Sequence, residues 1–185
     1  MIGSLPEVLE VGGQQIAINA DFRNILTIFE AFNDPALTNE EKTYICLARL
    51  YTASIPYYYT QEAYERAVWF MQGGDMPMSK PEESKIIDWG HDESMIIPAV
   101  SKVLGAVDVR SMPFLHWWTF LGSFGEIGEG LFSTVLHIRH KKARGQKLSK
   151  AEEEFYRKNK DLCLITTAEE QAAINETEEF LKTLI

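Results

Sequence analysis

The residues in this chain best suited to chemistry are three pairs of acidic or histidine side chains, with the members of each pair three positions apart. The pairs are Glu126 with Glu129, His137 with His140, and Asp88 with His91. A three-residue step places both side chains on one face of a helix, where they could bind a metal ion. A carboxylate-bridged metal centre takes Glu-x-x-His pairs from two helices, however, and the sequence contains no such pair. We therefore expect no catalytic residue, no metal and no cofactor.

The cysteines and glycine pairs do not suggest a second kind of reactive site. Cys46 and Cys163 lie in unrelated contexts without a CxxC pair, which excludes a disulfide framework or a zinc knuckle and fits a reducing cytoplasm. Gly73-Gly74 lacks the lysine and the serine or threonine of a phosphate-binding loop. The sequence therefore supports no nucleotide site.

The elements that would position these residues begin with a small hairpin. A two-residue turn at Gly12-Gly13 would pair Leu9 with Ile16 across two short strands. The apolar period then changes to a helical one over residues 22–33, where Asn-Asp-Pro ends the first helix.

Capping signals predict the next two helices. Thr38 and Glu41 form a capping box, which starts a helix from about 39 to 53. Thr60 is expected to cap a third helix, and Gly73-Gly74 to end it.

Proline and glycine shape the expectations for the second half of the chain. Two short helices are expected between residues 82 and 105, the second opening near Pro98, because proline lacks the N–H that an interior helical position donates. The longest helix is expected from Pro113 to about Arg144.

A second capping box, Ser149 with Glu152, starts a charged helix that ends near residue 160. Together these elements predict a mainly α fold. Residues 1–162 form a single helical domain that includes a small N-terminal β-hairpin. Residues 163–185 carry a C-terminal helix to which no role is assigned.

The charge of the chain is unevenly distributed. The 185 residues carry a formal net charge of -9, which argues against nucleic acid as a partner. Segment 139–160 is the exception, with nine lysines and arginines against three glutamates. It is either a solvated helical hairpin beside an acidic body or a docking site for an acidic protein surface. The acidic surface could belong to another copy of this chain, in which case self-association would be sensitive to salt. The candidate docking residues in it are Arg139, Lys141, Lys142 and Arg144.

Aromatic residues crowd the start of the expected long helix. They are Phe114, Trp117, Trp118, Phe120 and Phe124. One helix cannot bury rings that point in so many directions against a single neighbour, so the cluster is either core or a partner-binding surface. Gly122, Gly125 and Gly128 step by three along the same helix, which suits either tight packing within the chain or a groove for another chain's helix.

The stretch from Phe114 to Leu136 is about long enough to cross a bilayer, but it contains His116, Glu126 and Glu129. The N-terminus has neither the basic patch nor the apolar run of a secretory signal. We therefore expect no membrane partner and a location in the cytoplasm of the cell that makes the protein.

The order of several sequence blocks resembles a known family. HWWTFLGSFGEIGEGLFSTVLHIRHKKARGQKLSKAEEEFYRKNKDL resembles the C-terminal block of the bacteriophage gene product fifteen family, from siphophages and prophages of Gram-positive bacteria. DFRNILTIFEAFND resembles its N-terminal block, and AVWFMQGG, DWGHDE and IIPAVSKVLG follow in the family's order. The resemblance covers about residues 5–162, and residues 163–185 depart from it.

The resemblance implies a non-enzymatic tail assembly chaperone that acts in the host cytoplasm. Its implied partners are the phage tape-measure protein, which it would keep soluble, and the tail-tube protein. In that role the aromatic and glycine-stepped helix would contact the tape-measure protein, and the basic segment would contact another copy or the tube protein. The alternatives are a virion structural protein at the tail or head–tail joint and, less favoured, a metal-dependent enzyme that uses Glu126, Glu129, His137 or Asp88.

Overall fold

A computed structural model describes residues 3–74 and 86–165 of the chain. The strands are β1 (Val8–Val11) and β2 (Gln14–Ala17). The α-helices are α1 (Phe22–Asn33), α2 (Asn39–Leu50), α3 (Thr60–Met71), α4 (Trp89–Val103), α5 (Trp117–Gly125), α6 (Leu131–Ala143), α7 (Lys150–Lys158) and α8 (Lys160–Cys163). Single 3₁₀ turns lie at Tyr57–Tyr59 and Val109–Ser111. The expected mainly helical fold with a small N-terminal antiparallel hairpin is confirmed.

The hairpin has the predicted register, with Leu9 opposite Ile16. Gly12 and Gly13 form its turn with φ values of +58° and +75°, a region that favours glycine. A Cβ on Gly12 would also lie 2.3 Å from the ring of Tyr59, so a larger residue would force that ring or the hairpin to shift. Leu9, a residue of β1, is buried and belongs to the hydrophobic core.

Of the three side-chain caps predicted at Thr38, Thr60 and Ser149, two are confirmed at atomic detail. The Thr38 hydroxyl accepts the N–H of Glu41, and the Glu41 carboxylate accepts the N–H of Thr38 at 2.8 Å. Ser149 and Glu152 form the same reciprocal pair at the start of α7. The Thr60 cap is wrong: a 3₁₀ turn precedes α3, Thr60 is its first helical residue, and the N-cap is Tyr59, which makes no side-chain cap.

The predicted break at Pro98 is also wrong, because α4 runs through it as one helix. A proline inside a helix costs about 3 kcal/mol. The α4 residues on both sides of it, including Ile96, Ile97 and Val100, are almost fully buried, and their packing outweighs that cost.

The predicted long helix is instead two helices, α5 and α6, with a connection at residues 126–130. Ser133 begins the second helix by accepting the N–H of Gly130 at 2.9 Å. The break lets each helix bury its own apolar face, and the rings of Phe124 and Phe132 meet across it with centroids 5.5 Å apart. In the described part of the chain, no helix is both long and apolar enough to cross a membrane.

A buried ion pair joins α6 to α4. Arg139 of α6 donates two hydrogen bonds of 2.7 Å to the carboxylate of Asp92 of α4, and both side chains are at most 4% exposed. The same guanidinium donates to the carbonyl oxygens of Ile86, before α4, and Leu162, in α8. One side chain therefore holds α4, α6 and α8 together.

Asp92→Asn tests this pair, because it leaves the Arg139 charge buried without its anion. We expect the free energy of unfolding to fall by about 3–5 kcal/mol, measured by denaturant titration with circular dichroism. Asp108→Asn is the matched control: it removes an equally close pair, 2.7 Å from Arg110, but an exposed one, and should leave the free energy of unfolding close to that of the wild type. Equal losses in the two variants would contradict the clamp.

Candidate functional site

The aromatic cluster, for which the sequence left core and partner-binding surface as alternatives, lies mainly in the core. Trp117 and Phe120 are fully buried and stack on each other, and Phe120 also stacks on Phe22 of α1. Trp118 and Phe124 are half-buried. The rings are therefore buried against three helices, α1, α3 and α4, rather than against a single neighbour. Trp117 and Phe120 have no exposed surface with which to contact a partner. Phe114, before α5, is the cluster member that is well exposed, at 56%.

Hydrogen bonds explain why these rings are held so firmly. The indole N–H groups of Trp117 and Trp118 each donate at 2.8 Å to α3 carbonyls, those of Met71 and Phe70. His116 caps α5, because its Nδ1 accepts the N–H of Trp118 at 3.0 Å. Its Nε2 then carries the proton, and this N–H donates a hydrogen bond of 2.9 Å to the backbone carbonyl of Pro6.

The glycine step does not form one continuous surface. Gly122 lies inside α5, Gly125 is its last residue, and Gly128 lies in the connection to α6. A Cβ on any of them would meet no described atom within 4 Å, so tight packing inside the chain does not explain these glycines.

The pairs considered as metal ligands have structural roles or surface positions. Asp88 caps α4 by accepting the N–H groups of Gly90 and His91, both at 3.1 Å. His137 Nε2 lies 3.1 Å from a carboxylate oxygen of Glu152, and Glu126 and Glu129 are exposed. Among residues 3–74 and 86–165, no three His, Cys, Asp or Glu side chains come together as a metal site would require.

The basic segment forms a helical hairpin of α6 and α7. Lys141 binds both carboxylate oxygens of Glu152, at 2.7 and 2.9 Å, and the Lys142 ammonium lies 3.7 Å from the centre of the Tyr156 ring. Arg139 is a correction to the sequence prediction, because it is buried against Asp92 and is not part of the surface.

Six cations of the hairpin and α8 have no carboxylate within 4 Å among the described residues, and together we call them the basic face. They are Lys142, Arg144, Lys147, Lys150, Arg157 and Lys160. Lys158 is not counted because it pairs with Glu154 at 2.7 Å.

An open groove of about 750 Å³, which the sequence reasoning missed, lies between α2 and the chain leading into α3. We call it the tyrosine groove, and the aromatic and aliphatic residues in its lining include Tyr44, Leu47, Ala48, Tyr51, Ile55 and Tyr57. Tyr44 and Tyr57 are 73% and 92% exposed, an unusual degree for large aromatic rings. The available signal was the run of three tyrosines after Pro56, which has no helical or strand period of its own.

Tyr51 lies deepest of these rings and is firmly positioned. Its hydroxyl donates to the backbone carbonyl of Ala63 at 2.9 Å, which ties α2 to α3. Burial raises the pKa of Tyr51, so the hydroxyl keeps its proton and the hydrogen bond throughout the neutral range.

Comparison with known proteins decides the family. The family model described as bacteriophage Gp15 protein matches residues 1–164. This chain belongs to the bacteriophage Gp15 protein family. It is therefore a phage-associated protein, as the order of its sequence blocks predicted. No curated protein and no solved structure matches it.

The Gp15 match covers both surface features described above. The tyrosine groove and the whole basic face lie within residues 1–164. Residues 165–185 follow the match, and the predicted C-terminal helix falls almost wholly in residues 166–185, outside the described part of the chain.

The hairpin that carries the basic face should be sensitive to acid. The hydrogen bonds from Lys141 and then from Ser149 lower the pKa of Glu152 from 4.5 to about 2. Because the folded pKa is the lower one, the stabilisation is complete above pH 4.5 and is lost as the pH falls toward 2. We expect the thermal midpoint of Glu152→Gln to fall less than that of the wild type over this interval.

Glu154→Gln is the control for that measurement. It removes an exposed ion pair from the same helix but retains Glu152 and its partners, so the acid-dependent fall should persist. Parallel pH profiles for Glu152→Gln and the wild type would contradict the conclusion that protonation of Glu152 causes the loss of stability in acid.

Proposed function

We propose that this protein is a tail assembly chaperone that binds the phage tape-measure protein and keeps it soluble until tail-tube subunits assemble around it. Membership of the Gp15 family supports a role in the phage. The observation that carries the finer proposal is the tyrosine groove, an open and mainly apolar surface with two strongly exposed rings.

The chemistry of the groove suits an apolar helix as its ligand. Leu47, Ala48 and Ile55 provide aliphatic surface, and the rings of Tyr44 and Tyr57 add large contact areas with few rotatable bonds. A helix that lays one apolar face into such a groove gains most of its binding energy from that face. A long helical tape-measure protein repeats such faces, so many copies could coat one molecule.

Release of the tape-measure protein needs no nucleotide under this proposal. A chaperone leaves when another protein binds the same ligand more favourably, and a polymerising tube offers many simultaneous contacts. The exposed Phe114 remains available for a neighbouring chaperone copy or a tube subunit.

Tyr57→Ala tests the groove when the chain is co-expressed with the tape-measure protein of the same genome. The wild type should raise the soluble fraction of the tape-measure protein. Removal of the Tyr57 ring should weaken binding by roughly 1–2 kcal/mol, a factor of roughly 5–30, and lower the rescued fraction.

Tyr58→Ala is a matched control, because Tyr58 is the next residue, is also strongly exposed at 77%, and does not line the groove. It should leave the rescue intact. No rescue by the wild type would contradict the chaperone proposal, whereas equal rescue by both variants would contradict only the groove. Abundant protein in purified virions would favour the structural alternative.

A further inference from the structure

The basic face is an excess of charge that the described part of the chain does not neutralise. Of the three glutamates in α7, Glu152 pairs with Lys141 and Glu154 pairs with Lys158. Glu153 in α7 and Asp161 in α8 therefore remain to offset the six cations of the basic face among the described residues of the hairpin and α8. Like charges at this density repel one another, so an acidic ligand on this surface would be stabilising.

The chain leaves the described region beside this surface. α8 ends at the buried Cys163, and the carbonyl of Leu162 accepts a hydrogen bond from Arg139 of α6. Arg139 precedes Lys142 and Arg144 by three and five residues, which is about 4.5–7.5 Å along the helix axis. The residues that follow Ile165 therefore begin close to the basic face.

The sequence of that following segment is complementary in charge. Residues 166–185 contain Glu169, Glu170, Glu176, Glu178 and Glu179 against a single lysine, Lys182. Glu169 is seven residues beyond Leu162, and an extended chain of that length spans at most about 25 Å. The first glutamates can therefore reach the cations at the α6–α7 turn.

We propose that the acidic segment 166–185 docks on the basic face of its own chain. A tether of a few residues holds the glutamates at an effective concentration on the order of millimolar, well above that of a second copy in dilute solution.

Lysine acetylation of the full-length chain, read out by mass spectrometry, tests the docking. The variant Glu169→Gln, Glu170→Gln, Glu176→Gln, Glu178→Gln, Glu179→Gln removes the negative charge of the segment. The initial acetylation rates of Lys147 and Lys150 should rise about threefold or more in it, because a docked segment shields them most of the time. Lys102, exposed on α4, is the internal reference and should react equally in both proteins.

A second variant controls for the change in net charge. It neutralises the same number of exposed glutamates elsewhere: Glu7→Gln, Glu10→Gln, Glu30→Gln, Glu65→Gln, Glu93→Gln. Lys147 and Lys150 should keep the wild-type rates in this control, and circular dichroism should show the same helical content in all three proteins.

The proposal is overturned if the first variant leaves Lys147 and Lys150 at the wild-type rate, or if the control raises them equally. Dilution separates the source of the shielding. Protection that is unchanged on about tenfold dilution supports docking in cis, whereas protection that fades overturns it in favour of the segment of a second copy.

Discussion

The structure depends most on one constraint, which is that the buried charge of Arg139 must find enough acceptors to replace water. Asp92 in α4, the carbonyl of Ile86 before α4, and the carbonyl of Leu162 in α8 supply them to its two terminal nitrogens, while the buried Nε has no partner among the described residues. Because these acceptors come from separate stretches of the chain, one guanidinium holds α6 against α4 and α8 against α6. The orientation of the basic face and the place where the acidic segment 166–185 begins both follow from it.

Two exposed surfaces remain once the core has taken most of the aromatic residues, and they act through different forces. The tyrosine groove offers apolar area, whose attraction is largely independent of salt. The basic face acts through charge, which salt screens within about 10 Å. Under the proposed function, the first surface holds an apolar helix, while the second can respond to acidic surfaces. Glu152 holds together the hairpin that presents this charge.

Local chemistry explains which expectations were confirmed. The capping boxes of α2 and α7 and the Gly12-Gly13 turn are settled by hydrogen bonds and backbone preferences within four residues, so they can be recognised in one dimension. The break between α5 and α6 was missed, because the apolar spacing continues across Gly128 while the helices separate to bury different faces. Pro98 was misjudged for the converse reason, since packing around it outweighed its local cost.

The sequence by itself determined the fold class, the hairpin, the starts of α1, α2 and α7, and the family, because each depends on neighbouring residues or on the order of blocks along the chain. Only the tertiary structure decided which candidate residues face outward. From the sequence, Trp117 and Arg139 resemble surface binding residues. In the fold both are buried, and they donate hydrogen bonds to a carbonyl of α3 and a carboxylate of α4, respectively. The tyrosine groove likewise exists only where α2 meets the chain entering α3. Burial is a property of residues brought together from distant positions, which spacing along one segment does not encode.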